Sequence, residues 1–301
     1  MSNSEKKKSF WSVLFVVCAV VSIIALSALC WYLYRLYTDG KENAEIQSVA
    51  SVESVRSKDQ ADSRADKDIS FLMPYSQIDQ ESVRRADSDN SLPEEVRETV
   101  NGDVNFTELW KINPDIYAWI KVPNTLVDYP VLQFDGDDTF YLSHNVYRQY
   151  AFAGSIYTES LNKKDFSDPN TVLYGHNMLN GTMFRSLHNF RDPYFFANNE
   201  YIYVYLPERT LTYQIFAAYE YDDRHLLYSF DFNDEDIFRE YLEYAQHPEA
   251  SMTWNIRELD ITTDDKIITL STCMDTIDTS RYLVQGVLVN DEPIKQTKKQ
   301  D

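Results

Sequence analysis

The segments KIITLSTC (residues 266–273) and RYLVQGVLV (residues 281–289) decide the fold of this chain. Both are short runs rich in β-forming residues, and only seven residues separate them. Such spacing is typical of two neighbouring antiparallel strands. Antiparallel pairing lays the end of the first strand beside the start of the second. We therefore expect Cys273 and Arg281 to meet at one edge of a sheet.

Six more β-rich segments precede this pair, each bounded by Gly, Pro, Asn or Asp. They are YAWIKV (117–122), YPVLQ (129–133), GSIYTE (154–159), NTVLYGH (170–176), YIYVYLP (201–207) and LTYQIFAAYE (211–220). Eight short strands with few helices predict a mainly β protein built as a closed or nearly closed barrel. One long helix is predicted near residues 234–246, between strands six and seven, with Asn233 as its cap.

The N-terminus has the composition of a membrane anchor. Residues 10–34 form an apolar run of 25 residues without a charge. As a helix it would span roughly 37 Å, enough for a bilayer core of about 30 Å. Lysines 6–8 precede the run, which predicts that residues 1–9 are cytoplasmic and the rest of the chain is extracellular. A cleaved signal peptide is the alternative, but its apolar core would have only about 7–15 residues.

A polar linker separates this anchor from a folded domain. We predict the linker over residues 35–103, the domain over residues 104–290 and a polar tail over residues 291–301. Residues 38–100 lack the apolar periodicity needed to pack, so they fit a tether that reaches roughly 45 Å. The alternative is a partly helical segment that docks on the domain, around residues 93–100.

Composition excludes several classes of function. The formal net charge is −20, and an acidic surface repels phosphates, so we expect no nucleic-acid partner. The five histidines are scattered, and glycines are too few to build a phosphate-binding loop, so we expect neither a metal nor a cofactor. Cys18 and Cys30 lie in the apolar run, which leaves Cys273 as the only cysteine of the exported part. It is either a buried structural residue or a nucleophile.

The chemistry of a nucleophilic cysteine can be assembled from three residues. A guanidinium such as that of Arg281 favours the thiolate of Cys273 and can hold a substrate carbonyl. A cysteine nucleophile also needs an acid–base partner, and His176 is the one histidine that directly follows an apolar strand. Each residue can also be purely structural: Cys273 as a buried core residue, Arg281 as a surface residue and His176 as a structural histidine. Spacing alone does not decide between these roles and the catalytic ones.

The motifs around these residues resemble those of the sortases, and most closely class B. TLSTC (269–273) resembles the signature TLxTC of the sortase nucleophile. YGHNM (174–178), followed by GTMF (181–184), resembles the histidine segment. Arg281 opens the last strand, as the sortase arginine does. The resemblance extends over residues 104–290 through NPDIYAWIKVPNT, VDYPVLQ, FYLSHN and AGSIY. Ala118, Leu126 and Tyr147–Arg148 depart from the family pattern, which puts only loop shapes in doubt.

The resemblance implies a sortase-type eight-stranded barrel and a cysteine transpeptidase at the cell membrane. Cys273 would cleave the C-terminal sorting signal of secreted proteins and hold them as a thioester. A peptidoglycan amine would then take over the acyl group. His176 would transfer protons, Arg281 would stabilise the oxyanion, and Ser271 and Thr272 would bind substrate. A class B sortase that joins pilin subunits through lysine isopeptide bonds is the main alternative. A cysteine endopeptidase and an adhesion domain with an inert thiol are two others.

Overall fold

The computed structural model of the chain describes residues 3–51, 100–102, 104–248, 253–274 and 280–294. Its strands are β1 (Val100–Asn101), β2 (Val104–Asn105), β3 (Ile116–Lys121), β4 (Asp128–Leu132), β5 (Ile156–Tyr157), β6 (Asn170–Tyr174), β7 (Tyr201–Tyr205), β8 (Arg209–Asp222), β9 (Thr253–Ile256), β10 (Ile267–Cys273) and β11 (Ser280–Pro293). Its helices are α1 (Asn3–Ala50), α2 (Phe106–Ile112), α3 (Pro193–Asn198), α4 (Leu226–Ser229) and α5 (Glu235–Gln246). Two 3-10 helices cover Phe140–Leu142 and Phe184–Arg191.

Eight of the strands described here close into a barrel. Their order around the ring is β11–β10–β6–β5–β4–β3–β7–β8, and β8 pairs with β11 to complete the circle. Strand β9 lies outside the ring and pairs with the second half of β8. The predicted eight-stranded barrel is therefore confirmed, while β9 had no counterpart among the predicted strands. The segment predicted as a strand over residues 154–159 pairs only at Ile156–Tyr157.

The closing seam between β8 and β11 is the longest pairing in the barrel. The two strands run antiparallel from Ser280 opposite Asp222 to Pro293 opposite Arg209. The register shifts next to Gly286, where a Cβ atom would lie 3.0 Å from the Cβ of Tyr213. Glycine at this bulge lets the two backbones approach closely and bends the sheet, as a closed barrel requires. Strand β11 continues to Pro293, three residues beyond the predicted end of the domain.

Helix α5 covers one outer face of the barrel, in the predicted place between the sixth and seventh barrel strands along the chain. Four side chains of the predicted apolar stripe are buried, namely Phe238, Tyr241, Leu242 and Ala245. The cap is Asp234 and not Asn233, because the Asp234 carboxylate accepts from the backbone N–H groups of Asp236 and Ile237. Asn233 itself belongs to a preceding turn, where its N–H donates to Asp231.

Helix α1 contains the predicted apolar run and continues well beyond it, to Ala50. Among the described residues it is the one helix long and apolar enough to cross a membrane. Its last turns include the beginning of the predicted linker, and there Ile46 and Ala50 are buried against the domain. Residues four positions apart lie on the same face of a helix, so Ile46 and Ala50 can pack together against the domain. The prediction of a tether rests on overall composition and does not detect such a pair. The remainder of the linker, residues 52–99, lies outside the described residues.

Candidate active site

Cys273 and Arg281 face each other at one rim of the barrel, as the strand spacing predicts. Cys273 ends β10, Arg281 stands near the start of β11, and the two are direct partners in the antiparallel register. The Nη1 atom of Arg281 lies 3.9 Å from the Sγ atom of Cys273, and both residues are half-buried. A fixed guanidinium at this distance stabilises the thiolate over the thiol.

His176 reaches the same rim through a third strand. Strand β6 runs parallel to β10 with Tyr174 opposite Ser271, and the N–H of Gly175 donates to the carbonyl of Ser271 at 3.2 Å. His176 lies two residues beyond this last paired position, in the loop after β6, and Cys273 lies two residues beyond it at the end of β10. Strand β10 thus carries the thiol between two neighbours, the histidine segment on one side and the arginine strand on the other.

The ring of His176 is held by the loop that follows the first 3-10 helix. Its Nε2 atom lies 2.8 Å from the carbonyl oxygen of Leu142, and its face stacks on Phe152 at 5.9 Å between ring centroids. A carbonyl oxygen only accepts, so Nε2 carries a hydrogen and donates it. The Nδ1 atom is then the ring nitrogen that can take up and release a proton.

Three further side chains position the backbone of Cys273, and sequence reasoning missed all of them. Asn177 donates through Nδ2 to the carbonyl of Cys273 at 2.8 Å, and Nε2 of His188 donates to the same oxygen at 3.2 Å. Nη1 of Arg185 donates to Oδ1 of Asn177 at 2.9 Å, which fixes the orientation of that amide. Asn177 belongs to the YGHNM motif and could have been found there, whereas no local pattern singles out His188 or Arg185.

Ser271 and Thr272, the two residues predicted to bind substrate, directly precede Cys273 on β10. They are only 5% and 2% exposed, and as successive strand residues they point to opposite faces of the sheet. Binding of a peptide by either side chain stays a prediction.

Glu159, which follows β5, and His225, which follows β8, form a polar pair of one buried and one half-buried side chain. The carboxylate of Glu159 accepts from Nε2 of His225 at 2.8 Å, and burial raises the pKa of Glu159 above its ordinary value. Burial, and then the charge of Glu159, also raise the pKa of Tyr157, against the opposing charge of Arg281. Tyr157 therefore stays a neutral phenol at physiological pH, near Cys273 and Arg281.

Within the described part of the chain, no three His, Cys, Asp or Glu side chains gather into a group able to hold a metal ion. The described side chains at the rim are instead a thiol, an imidazole, a guanidinium and the amide of Asn177. Such a set suits nucleophilic attack on a carbonyl, with proton transfer and charge stabilisation supplied by the protein.

Comparison with known proteins identifies the family. The sortase domain family matches residues 120–289. Sortase B of Listeria monocytogenes is 36% identical over 199 residues, which cover 63% of this chain and 77% of that protein. The crystal structure of Clostridium perfringens sortase B superposes with a TM-score of 0.55 at 34% identity, over 62% of this chain and all of that one. A Streptococcus pyogenes class B sortase involved in pilus biogenesis gives a TM-score of 0.53 at 30% identity, over 61% of this chain and 97% of that one.

The fold and these likenesses agree with each other. The barrel, the helix α5 after its sixth strand and the thiol at its rim are the features that the sequence motifs predict. The matched residues include all of the barrel but its first four and last four residues. The chain therefore belongs to the sortase family, within class B, and is a cysteine transpeptidase.

Proposed function

We propose that this sortase is anchored in the cell membrane by α1 and attaches secreted proteins to the cell wall. It would cleave the C-terminal sorting signal of its clients and transfer them to an amine of peptidoglycan. The observation that carries the proposal is the pairing of Cys273 with Arg281, with His176 in the loop that follows the neighbouring strand β6. The anchor is supported by the apolar run of α1, and the lysines before that run favour an extracellular domain. We place the catalytic domain at residues 104–290.

The first half-reaction uses Cys273 as the nucleophile. Its thiolate sulfur attacks the carbonyl carbon of the scissile amide, and a tetrahedral oxyanion forms. Arg281 donates N–H hydrogen bonds to this oxygen, where negative charge develops only in the transition state. The C–N bond then breaks, the departing amine takes a proton from His176, and the client remains bound as a thioester.

The second half-reaction releases the client. The acceptor amine attacks the thioester carbonyl, and His176, now neutral, takes its proton through Nδ1. Collapse of the second oxyanion expels the Cys273 thiolate and forms the new amide bond. The hydrogen bond from Nε2 of His176 to Leu142 keeps the ring in one orientation through both steps. In these steps His176 alone among the described residues changes its protonation state, since Cys273 attacks and leaves as a thiolate and Arg281 stays charged.

The acceptor separates this proposal from its main alternative. The likeness to the Streptococcus pyogenes enzyme, which is described as involved in pilus biogenesis, favours a lysine of a second pilin subunit as the amine. Wall attachment would give one client joined to a peptidoglycan fragment, whereas pilin assembly would give a ladder of joined subunits. A hydrolytic cysteine protease would give neither product.

The test uses the full chain in lipid nanodiscs and a panel of sorting-type pentapeptides. Each peptide is offered with water alone, with a wall-type peptide amine or with a lysine-containing peptide, and mass spectrometry identifies the products. Cleavage of one peptide with transfer to an amine supports the proposal, and the preferred amine decides between wall and pilin. Cys273→Ala should abolish all products, while Cys30→Ala, a matched change in α1, should not. No cleavage of any peptide, with a thiol that resists alkylation, contradicts the proposal.

Arg281 offers a sharper probe of the mechanism. Arg281→Gln keeps a hydrogen-bond donor but shortens the side chain and removes the charge, so we expect kcat for peptide cleavage to fall by about 10²–10³. Arg281→Lys keeps the charge but loses the planar fork, and should retain more activity than the glutamine variant. Equal activity of Arg281→Gln and the parent enzyme would remove Arg281 from the oxyanion role.

A further inference from the structure

Residues 142–152, which we name the rim loop, expose large apolar side chains beside the active site. Tyr150 is 64% exposed, Phe152 is 61% exposed, and Leu142 is also exposed. No Asp or Glu occurs between residues 139 and 158, although residues 101–301 carry a net charge of −16. The loop itself thus adds no negative charge, although Glu42 and Asp115 pair with its Asn145 and Arg148. Grouped exposed aromatic residues are typical of a surface that contacts another apolar surface.

Contacts between α1 and the domain fix where this loop lies relative to the anchor. The guanidinium of Arg35 lies 5.9 Å from the ring centroid of Tyr150, and Arg35 directly follows the apolar run. The carboxylate of Glu42 accepts from Asn145 at 2.7 Å. Gln47 donates to the carbonyl of Asp128, at the start of β4, at 2.8 Å.

These contacts can be placed at different heights above the apolar run. With a rise of 1.5 Å per residue, the Glu42 contact lies roughly 10 Å further along α1 than Arg35, and the Gln47 contact roughly 18 Å further. The helix therefore descends along the domain from the start of β4 to the rim loop. Tyr150, which contacts Arg35, is the part of the domain nearest to the apolar run among these contacts.

We propose that the rim loop rests on the outer surface of the bilayer, with Tyr150 and Phe152 among the lipid headgroups. This inference rests on the proposed function, since it requires α1 to span the membrane. The headgroup layer is about 5–8 Å thick on each side, so a residue level with Arg35 lies within it. Tyrosine favours this interface because its ring is apolar and its hydroxyl is polar, and Arg35 can pair with lipid phosphate.

The same loop holds the proposed catalytic histidine. Phe152 stacks on His176, and the carbonyl of Leu142 accepts from it. Seating the loop on the membrane therefore brings the mouth of the active site to the lipid surface. A sorting signal that is followed by a membrane-embedded segment would emerge at this level. The enzyme would then meet its substrate without leaving the bilayer, which a long free tether would not ensure.

Photo-crosslinking of the full chain in nanodiscs of phosphatidylglycerol and phosphatidylethanolamine tests the proposal. Benzoylphenylalanine, an aromatic residue that reacts with nearby C–H bonds, replaces Tyr150 or Phe152 in separate variants. The control position is Tyr194 of α3, which is 79% exposed and lies on a helix that packs against β9 and the second 3-10 helix. We expect lipid adducts at positions 150 and 152 in several-fold higher yield than at position 194. Equal yields at all three positions would overturn the proposal.

A second control separates this proposal from the proposal of a membrane anchor. Benzoylphenylalanine at Ile24, in the middle of the apolar run, should give lipid adducts if α1 spans the bilayer. Adducts at position 24 without adducts at 150 and 152 would refute the rim-loop contact alone. No adducts at position 24 would refute the anchor, and the rim-loop contact with it. Tyr150→Asp should lower the adduct yield at position 152 several-fold, because a carboxylate resists the apolar boundary.

Discussion

Gln285 is a single amide that cross-links four elements of the buried protein, so its replacement should be costly. The residue is 0% exposed. Its Nε2 atom donates to the hydroxyl of Tyr241 on α5 at 2.7 Å and to Oγ1 of Thr269 on β10 at 2.8 Å. Its Oε1 atom accepts from the hydroxyl of Tyr219 on β8 at 3.0 Å. We predict that Gln285→Met, which keeps the length of the side chain, destabilises the domain strongly.

The magnitude follows from the groups left behind. The hydroxyls of Tyr219 and Tyr241 each lose their hydrogen bond to Gln285, although they remain within hydrogen-bonding reach of each other. Oγ1 of Thr269 keeps its own hydrogen bond to Asn170, at 2.9 Å. A buried polar group deprived of its partner costs about 1–3 kcal/mol. Three partly compensated groups give a loss of about 2–4 kcal/mol in the free energy of unfolding.

Urea unfolding of the fragment 35–301, which lacks only the N-terminus and the apolar run, measures this loss by circular dichroism. The double variant with Tyr219→Phe should lose about 1–2 kcal/mol less than the sum of the two single variants, since the tyrosine hydroxyl no longer needs an acceptor. Gln149→Met, at an exposed position, should change stability by less than about 0.5 kcal/mol. Strict additivity of the two buried changes, or a loss below about 1 kcal/mol for Gln285→Met, would refute the reasoning.

Three further predictions concern the loop, the core and the thiol. Gly154 has φ +57, and a Cβ there would lie 2.5 Å from the carbonyl oxygen of Leu142, so Gly154→Ala should lower both Tm and kcat. Gly136→Ala is its control: a φ of +113° strains the alanine backbone, but the Cβ would meet no neighbour, so Tm should fall while kcat stays unchanged. Burial raises the pKa of Tyr241 to about 12. The stabilisation that its neutral hydroxyl adds to the free energy of unfolding is therefore complete below pH 10 and is lost as the pH rises to 12. Urea unfolding of Tyr241→Phe should therefore show a pH dependence weaker by about 3 kcal/mol over that range. Asn177→Ala removes the hydrogen bond to the Cys273 carbonyl and should lower the acylation rate about tenfold in rapid-mixing assays with the fold intact.

Local pattern was sufficient for most of the barrel. Alternating or continuous β-rich runs bounded by turn residues predict a strand wherever the chain forms one of useful length, and the apolar spacing of α5 predicts that helix. The elements that the sequence did not predict are short or unusual in composition. Strand β9 has only four residues, Thr253–Ile256, and no strong turn signal on either side. The C-terminal part of α1 is polar in composition, and only its packing against the domain through Ile46 and Ala50 reveals why it stays helical.

The sequence by itself determined the strands, the family and the meeting of Cys273 with Arg281, because a seven-residue connection between two strands leaves little choice of pairing. Tertiary structure alone decided how His176 joins them. Placing His176 at the same rim needs β6 to lie parallel to β10, a pairing between segments nearly 100 residues apart. A period-two pattern fixes which face of a strand is buried, but not which distant strand it pairs with or in what register. Local pattern likewise does not predict which distant residues meet. The hydrogen bond of His188 to Cys273, the Gln285 network and the contact of α1 with Tyr150 therefore became visible only in the folded structure.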